Sequence, residues 1–470
     1  MKLRKIALSL LLIVSMMVAM TGTALAAEPV TVTLDVTDAA ELKAALYDKM
    51  KEINSGTQGT NLIVNIKNNI DMGDVQWEAQ GVNSYGRYFF LTINGNGNTI
   101  TGLKNMLVSG TWAGKGGLKI SDLTLEKANI VFNPEDNPEN NGVGAFVGYP
   151  SASGGHVTLE NCSLINSHVE GGHWTGGLIG YTAGYSGNDG PVFMEVNINN
   201  CTVIGNTITG KGSVGSVIGH GLGDAWTGVT IANTFVSGNE VTSTGSSKEK
   251  AGALVGTIGT AGNTGSPNNY EPKTGYLRIE DTTVLENTVT SGGTEINRIY
   301  GRPGTATEIT ISGGLFELYE ADQQGGYNGL NIIMADNPIF KEDLCIVTFV
   351  DGVNGEVFGG NILFYCGKGE PTPEFEVPTR EGYTFAGWSP ALAATVTADA
   401  TYTAQWTAVT AATPTPAPAA PAAPVAPTAT PAPAPKTGDC TPIAMLTVVL
   451  MASAAAMVWM VANKRKANQQ

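Results

Sequence analysis

Residues 196–208 read "VNINNCTVIGNTI", and this thirteen-residue pattern occurs four more times without a gap. The other copies are "LKISDLTLEKANI" (118–130), "VTLENCSLINSHV" (157–169), "VTIANTFVSGNEV" (229–241) and "LRIEDTTVLENTV" (277–289). Four columns are aliphatic in every copy. They begin at Leu118, Ile120, Leu125 and Ile130, and in the third copy they are Val196, Ile198, Val203 and Ile208. The period of two at the start of each copy predicts a strand. A column of Asp122, Asn161, Asn200, Asn233 and Asp281 then interrupts it. Asn and Asp favour a bend there, because they tolerate left-handed backbone and can bond the chain two residues on. Each copy therefore predicts strand, bend, strand.

A second signature follows each copy: "GAFVG" (144–148), "GGLIG" (176–180), "GSVIG" (215–219), "GALVG" (252–256) and the degenerate "NRIYG" (297–301). These residues resemble the GLUG-type repeat of bacterial surface proteins. The Ile120 column recurs after 39, 39, 33 and 48 residues, with the surplus in loops such as "TAGYSGNDG" and "NTGSPNN". A constant core with variable insertions is what a solenoid permits. The expected fold is all-β: a right-handed parallel β-helix over 27–340, one copy per coil and three short strands per coil. Coils would stack at about 4.8 Å, so that like residues form ladders. "LTINGNGNTITGL" (91–103) predicts an opening coil and "ITISGGLF" (309–316) a late one. "DAAELKAALYDKMKEI" (38–53) has helical periodicity and is placed as an N-terminal cap helix over the exposed first edge. Cys162 and Cys201 share a column with Leu123, Thr234 and Thr282, and read as buried small residues rather than a redox pair.

Working outward, residues 341–407 carry "VTFVDGVNGEVF", "PTREGYTFAGWSP" and "ATYTAQW". Gly382, Tyr383, Phe385, Gly387, Trp388, Tyr402 and Trp406 resemble the Listeria–Bacteroides (internalin B-type) repeat, which implies a small β-grasp-like module. Alternation at Tyr383/Phe385 and at Tyr402/Ala404/Trp406 independently predicts half-buried strands. Trp388 and Trp406 read as core rather than as a ligand platform. Cys345 and Cys366 can pair, and their spacing does not decide whether they do.

Residues 408–433 are almost wholly Pro, Ala and Thr, a composition that favours extended polyproline II. With its flanks (409–435) this stretch reaches on the order of 80 Å. It serves either as a spacer across a wall or as a tether of no required length. Residues 434–470 begin with Ala434, Pro435, Lys436, Thr437 and Gly438, continue through an apolar stretch at 441–462, and end in a basic tail. This resembles the cell-wall sorting signal of Gram-positive surface proteins, with Ala434 where Leu is usual. That difference bears on which sortase acts rather than on the mechanism. The resemblance implies sortase as a partner, cleavage after Thr437 and covalent attachment of Thr437 to peptidoglycan. A permanent transmembrane helix is the alternative, since about 20 apolar residues span a bilayer. At the other end, 1–26 combines Lys2, Arg4 and Lys5 with an apolar run and small residues at Ala24 and Ala26. That is the pattern of a secretory signal peptide. The chain is expected at the cell surface.

The chain has 26 Lys+Arg against 41 Asp+Glu. Without both terminal signals the balance falls to about −20. That excludes nucleic acid as the expected partner, because phosphate binding needs basic surface.

"IGHGLGD" (218–224) contains a Gly-His-Gly that resembles a signature of polygalacturonase-type enzymes. In the repeat alignment His220 occupies the column of Tyr149, Tyr181, Thr257 and Arg302, so it reads as a variable column and not as a catalytic residue. Glycoside hydrolysis needs two carboxyls about 5–9.5 Å apart. In the Asx column only Asp122 and Asp281 are acids, four coils apart. No catalytic residue is assigned. Asp136 and Glu139, in "NPEDNPEN" (133–140), offer oxygen ligands for Ca²⁺ or simply form a solvated loop. Trp112, Trp174, Tyr181, Tyr185 and Trp226 lie in or beside Gly-rich loops, where they either stack on a sugar or cover their own loops. The leading expectation is an adhesin or glycan- or host-surface-binding protein. A polysaccharide lyase or glycoside hydrolase and a passive stalk are the alternatives.

Overall fold

In the computed structural model the repeat columns are physical ladders. Ile198 pairs in register with Leu159 below it and Ile231 above it, and the series runs on through Ile279, Ile311 and Met334. All pairings between coils are parallel, and the aliphatic columns are completely buried. This is a parallel β-helix. The structure describes residues 28–409 except 84–87, 113–114, 133–141, 152–154, 184, 188–189, 222–226, 246–249, 260–274, 297, 302–306, 318–330, 336–337, 341–342, 376 and 378. The chain divides into two compact units between Lys341 and Glu342.

A coil of the first unit holds five short strands, where the sequence pattern suggested three. In one coil they are Gly155–Glu160, Ser163–Ile165, His168–Gly171, Trp174–Gly176 and Ile179–Tyr181. The bend between the first two is the Asx column, left-handed in every copy, with φ between 44° at Asp281 and 54° at Asp122 and Asn161. These side chains also stack: Asn161 Nδ2 donates to Asp122 Oδ1 and Asn200 Nδ2 to Asn161 Oδ1, each at 2.7 Å. Five residues later comes a second left-handed bend, at Lys127, Asn166, Gly205, Gly238 and Glu286.

Immediately after that second bend lies a column the sequence reading passed over: Ala128, Ser167, Asn206, Asn239 and Asn287. The three asparagines are buried and form an internal ladder. Asn239 Oδ1 accepts from the backbone N and Nδ2 of Asn206, and Asn287 Oδ1 does the same for Asn239. Each Nδ2 also donates to a backbone carbonyl of a neighbouring coil, at Leu164, Val203 or Val236. Ser167 ends the ladder below, its N donating to Asn206 Oδ1 and its Oγ accepting from Ala128 N. Buried amides are tolerated here because their bonds are made.

Cys162 and Cys201 are buried free thiols in adjacent coils. Each lies within weak hydrogen-bond reach of backbone carbonyls, Cys162 with Ile120 and Cys201 with Leu159. Contact with Cys201 and burial raise the Cys162 thiol well above the ordinary range. Thr234 and Thr282 make the same use of this column, donating to Ala232 and Ile231.

The β-helix is longer at both ends than the repeats indicated. Two rungs precede the expected opening coil: Val30–Val36 and Thr60–Ile66 pair with each other and then with Tyr88–Thr101. A final rung, Asn331–Ala335 with Ile339–Phe340, follows 309–316. The N-terminal helix covers 39–55, with a π-helical stretch at Ala44–Lys49. Asp38 caps it by accepting from Ala40 N and Glu41 N. Its apolar face, Leu42, Leu46 and Met50 among others, joins the main core cluster. The helix therefore closes the hydrophobic interior, while Val30–Val36 remains the outermost rung.

The second unit is a four-stranded mixed sheet in the order Ile362–Gly367, Leu344–Val350, Ala400–Ala408, Tyr383–Ser389. Its central pair is parallel and its outer pairs antiparallel, a β-grasp-like arrangement. Phe349, Phe364 and Tyr402 fill the core, with Trp388 and Trp406 packed against it. Asp351 pins the loop after the first strand, its carboxylate accepting from Val353, Gly355, Val357 and Phe358 N. Tyr383 and Phe385 are about 40% exposed rather than half-buried, because their strand is the sheet's edge. Cys345 and Cys366 face each other across the antiparallel pair as buried free thiols. Burial, then Glu370 and Cys345, push Cys366 up to about 12.

Candidate functional site

The fourth and fifth strands of each coil are joined by the "GGLIG"-type signature, and the structure explains its glycines. A Cβ on Gly180 would lie 2.2 Å from Val143 N, and one on Gly219 2.5 Å from Thr175 N. The fifth strand of one coil thus packs backbone on backbone against the fourth strand of the coil below. No side chain fits between them. The chain runs up the fourth strand, turns, and returns along the fifth as a flattened arch.

At the open end of this arch larger polar and aromatic side chains stand on both strands. The fourth strand enters with the column Gly142, Trp174, Ser213, and Lys250 continues that register one coil further. The fifth strand leaves with Tyr149, Tyr181, His220 and Thr257. The two columns face each other. Ser213 Oγ donates to Thr257 Oγ1 at 2.7 Å, and a Cβ on Gly142 would lie 3.1 Å from Tyr181 Cβ and 3.2 Å from the Tyr149 ring. The loops of variable length that enter the fourth strands and leave the fifth strands begin at this mouth.

Four aromatic side chains converge there. Tyr149 stacks on Tyr181 with centroids 4.6 Å apart, and Tyr181 stacks on His220 at 5.2 Å. Trp174 lies across all three, 4.3 Å from Tyr181, 5.9 Å from His220 and 6.1 Å from Tyr149. Offset and edge contacts at such distances contribute about 0.5–1.5 kcal/mol per pair beyond area burial. Tyr149, Trp174 and Tyr181 are partly exposed, whereas His220 is 7% exposed. His220 Nδ1 is buried without a hydrogen-bond partner. Burial, and secondarily the charge of Lys250, push its pKa down to about 4, so the imidazole is neutral near pH 7.

Of the aromatics singled out from sequence, Trp174 and Tyr181 meet in this cluster. Trp112 closes the strand Val108–Trp112 and Tyr185 opens the small hairpin Tyr185–Val192. Trp226, Asp136 and Glu139 lie outside the described residues, as do Ala434, Pro435, Lys436, Thr437, Gly438 and the apolar stretch 441–462. Among the described residues no helix is long and apolar enough to cross a membrane, and no group of three His, Cys, Asp or Glu is placed to hold a metal ion. Tyr149 was missed as a site residue, although its place in the His220 column was the available signal. Lys250 was missed because its column begins with a glycine and shares no chemistry along its length.

His220 is a column residue, stacked on Tyr181 and paired in register with Tyr181 and Thr257. Asp122 and Asp281 stand four rungs apart along the register, about 19 Å at 4.8 Å per rung.

No family model matches the chain, and no curated protein matches it. Among solved structures, a Bacteroides ovatus protein described as a candidate immunoglobulin A1 protease is similar over 64% of this chain and 83% of its own, with 14% identity and a TM-score of 0.39. At that level the likeness says nothing about the chemistry of this chain.

Proposed function

We propose that this is a cell-surface binding protein whose β-helix holds a saccharide at the mouth of the glycine arch. The observation that carries the proposal is the convergence of Trp174, Tyr149, Tyr181 and His220 from three successive coils. A hydrophobic core does not need these rings, since the aliphatic columns already fill the interior. Partly exposed aromatic side chains beside loops suit the apolar faces of sugar rings. The terminal segments support display: a secretory leader, a Pro/Ala spacer and a sorting signal that would join Thr437 to peptidoglycan through sortase. In this reading the small C-terminal module carries the β-helix on its spacer. The long separation of Asp122 and Asp281 favours binding over hydrolysis.

The test is a glycan array probed with the segment 27–438 and with its Trp174→Ala variant. Binding that the substitution reduces at least tenfold, with an unchanged melting temperature, supports the proposal. Equal binding by both proteins removes the arch mouth as the site. No binding together with no turnover of any polysaccharide favours a passive stalk.

A further inference from the structure

The cap helix leaves the first rung open. Val30–Val36 pairs on one side with Thr60–Ile66 and, among the described residues, with no strand on the other. Val30 N donates to Gly59 O and Val36 O accepts from Lys67 N, so the even-numbered residues turn their backbone groups toward the next rung. Alternate residues of a strand point their N–H and C=O to opposite sides, so those of Thr31, Thr33 and Asp35 point outward. These three residues are exposed. An open row of this kind is a template for another strand, and proteins blunt it with lysine, proline or a bulge. The edge strand Tyr383–Ser389 of the second unit carries such a bulge, between Phe385 and Gly387. Val30–Val36 carries no bulge, lysine or proline. Its one charged side chain, Asp35, is engaged by Asn65 at 2.8 Å and Lys67 at 3.4 Å of its own copy.

The strand is complementary to itself. Laid antiparallel on a second copy about a two-fold axis at Thr33, it sets Thr33 opposite Thr33, Thr31 opposite Asp35 and Val32 opposite Leu34. Every outward N–H and C=O of Thr31, Thr33 and Asp35 then falls in a hydrogen-bonded pair. The pairs between them bring Val32 and Leu34, which are only partly buried against their own core, side to side across the axis. They also set Val30, 49% exposed, opposite Val36. No carboxylate meets a carboxylate in this register. The ends of the row match as well. Pro29, which has no N–H, stands opposite Thr37, whose N–H already donates to Glu41 Oε2 at 2.8 Å. The pairing is therefore bounded at both ends where a donor is missing or used.

We propose that the partner of this edge is a second copy of the chain, and that the β-helix forms a two-fold, head-to-head dimer through Val30–Val36. The pairing joins the first-strand sheets of both copies into one and leaves the final rungs, Asn331–Ala335, at the far ends of that sheet. A two-fold contact is closed, because each copy gives the same patch and has none left to offer at that end. The dimer does not depend on the saccharide reading, since the arch is built on other strands.

Sedimentation equilibrium on the displayed segment 27–438, which holds the described residues of both compact units, tests this at about 1–100 μM. A monomer–dimer equilibrium is expected. Thr33→Pro should leave only monomer with an unchanged melting temperature, since the Thr33 N–H faces away from the neighbouring rung. Thr31→Asp sets carboxylates opposite Asp35 at both ends of the row and should weaken the dimer about tenfold, while Thr31→Lys should tighten it. The segment ends before Cys440, and its own four cysteines are buried. A short bis-maleimide should therefore link Thr31→Cys to Asp35→Cys when the two variants are mixed, and neither variant to itself. Monomer throughout that range overturns the inference. So does a dimer that survives Thr33→Pro, equal association of the Thr31→Asp and Thr31→Lys variants, or a cross-link within either single variant. Species beyond the dimer, as stacking of a final rung on a first rung would give, also overturn it. If Thr33→Pro lowers the melting temperature, the Thr31 variants and the cross-link decide.

Discussion

The two sides of each coil solve the same stacking problem with opposite chemistry. The first three strands bury side chains. Their aliphatic columns carry the core, and the Asn206–Asn239–Asn287 ladder satisfies the backbone where the chain turns. The arch of the fourth and fifth strands buries backbone. Its layers touch through Gly144, Gly176, Gly180 and Gly219, while Val143, Val214, Ile179 and Ile218 on the same strands join the core. The first side tolerates exchange of one aliphatic for another, while the glycine contacts tolerate no added atom. The contrast teaches that conserved volume can be absent volume, and that a site can form where close packing ends.

The sharpest way to break this comparison is to add atoms to the arch. Gly180→Val places a side chain where even a Cβ would stand 2.2 Å from Val143 N and 2.5 Å from Gly148 O, both backbone atoms. The expected loss exceeds about 4 kcal/mol, which belongs to the extreme tail of single substitutions. A urea midpoint within error of the parent protein would show that the layers can part. On the other side, Ile198→Ala removes a fully buried side chain and should cost about 2–5 kcal/mol through lost transfer energy and a cavity. A smaller cost would mean that the column collapses around the gap.

His220 gives the mouth a pH signature that the aliphatic side lacks. Its ring faces Trp174 and Tyr181, with Thr257 beside it in register and Lys250 as the nearby charge. Folded, it stays neutral down to about pH 4, while the unfolded chain takes up a proton near 6.5. Between those values the unfolded state binds more protons, so stability rises with pH and is lost as pH falls from about 6.5 to 4. The span corresponds to about 3 kcal/mol at most. His220→Gln should flatten that slope relative to the parent across pH 4.5–6.5 in denaturant titrations. Parallel curves for the two proteins would place His220 in an ordinary solvated setting.

The smallest expected effect tests the polar ladder. Asn239→Ala orphans Asn206 N, removes one of the two bonds that Asn206 Nδ2 makes, and takes a donor from the carbonyl of Val203. It should cost about 1–3 kcal/mol, as an unsatisfied buried group does. Hydrogen exchange should quicken at Asn206 N and leave distant coils unchanged. Uniform exchange across all coils would show the ladder to be incidental.

Much of this was legible along the chain. Five aligned copies set the register, because a one-residue slip would turn every buried aliphatic to solvent. The Asx column announced the left-handed bend, since few other residues accept that backbone readily. The rungs at 30–36, 60–66 and 331–340 escaped notice because they carry the period of two without the repeat's later signature. The Asn206 column escaped because an asparagine near a bend usually faces water, and only the stacking of coils makes it internal.

Sequence alone determined that the middle of this chain repeats, and that each repeat is strand, bend, strand with one buried face. Those are local facts, fixed by side-chain alternation and by what asparagine and glycine allow the backbone to do. The tertiary structure alone decided that the glycine signature folds into an arch, and that Trp174 meets Tyr149 and His220 from neighbouring coils with Lys250 two rungs beyond. Such juxtapositions depend on the offset with which one coil's fifth strand rests on the fourth strand of the coil below. That offset is set by packing between layers and is written in no single repeat.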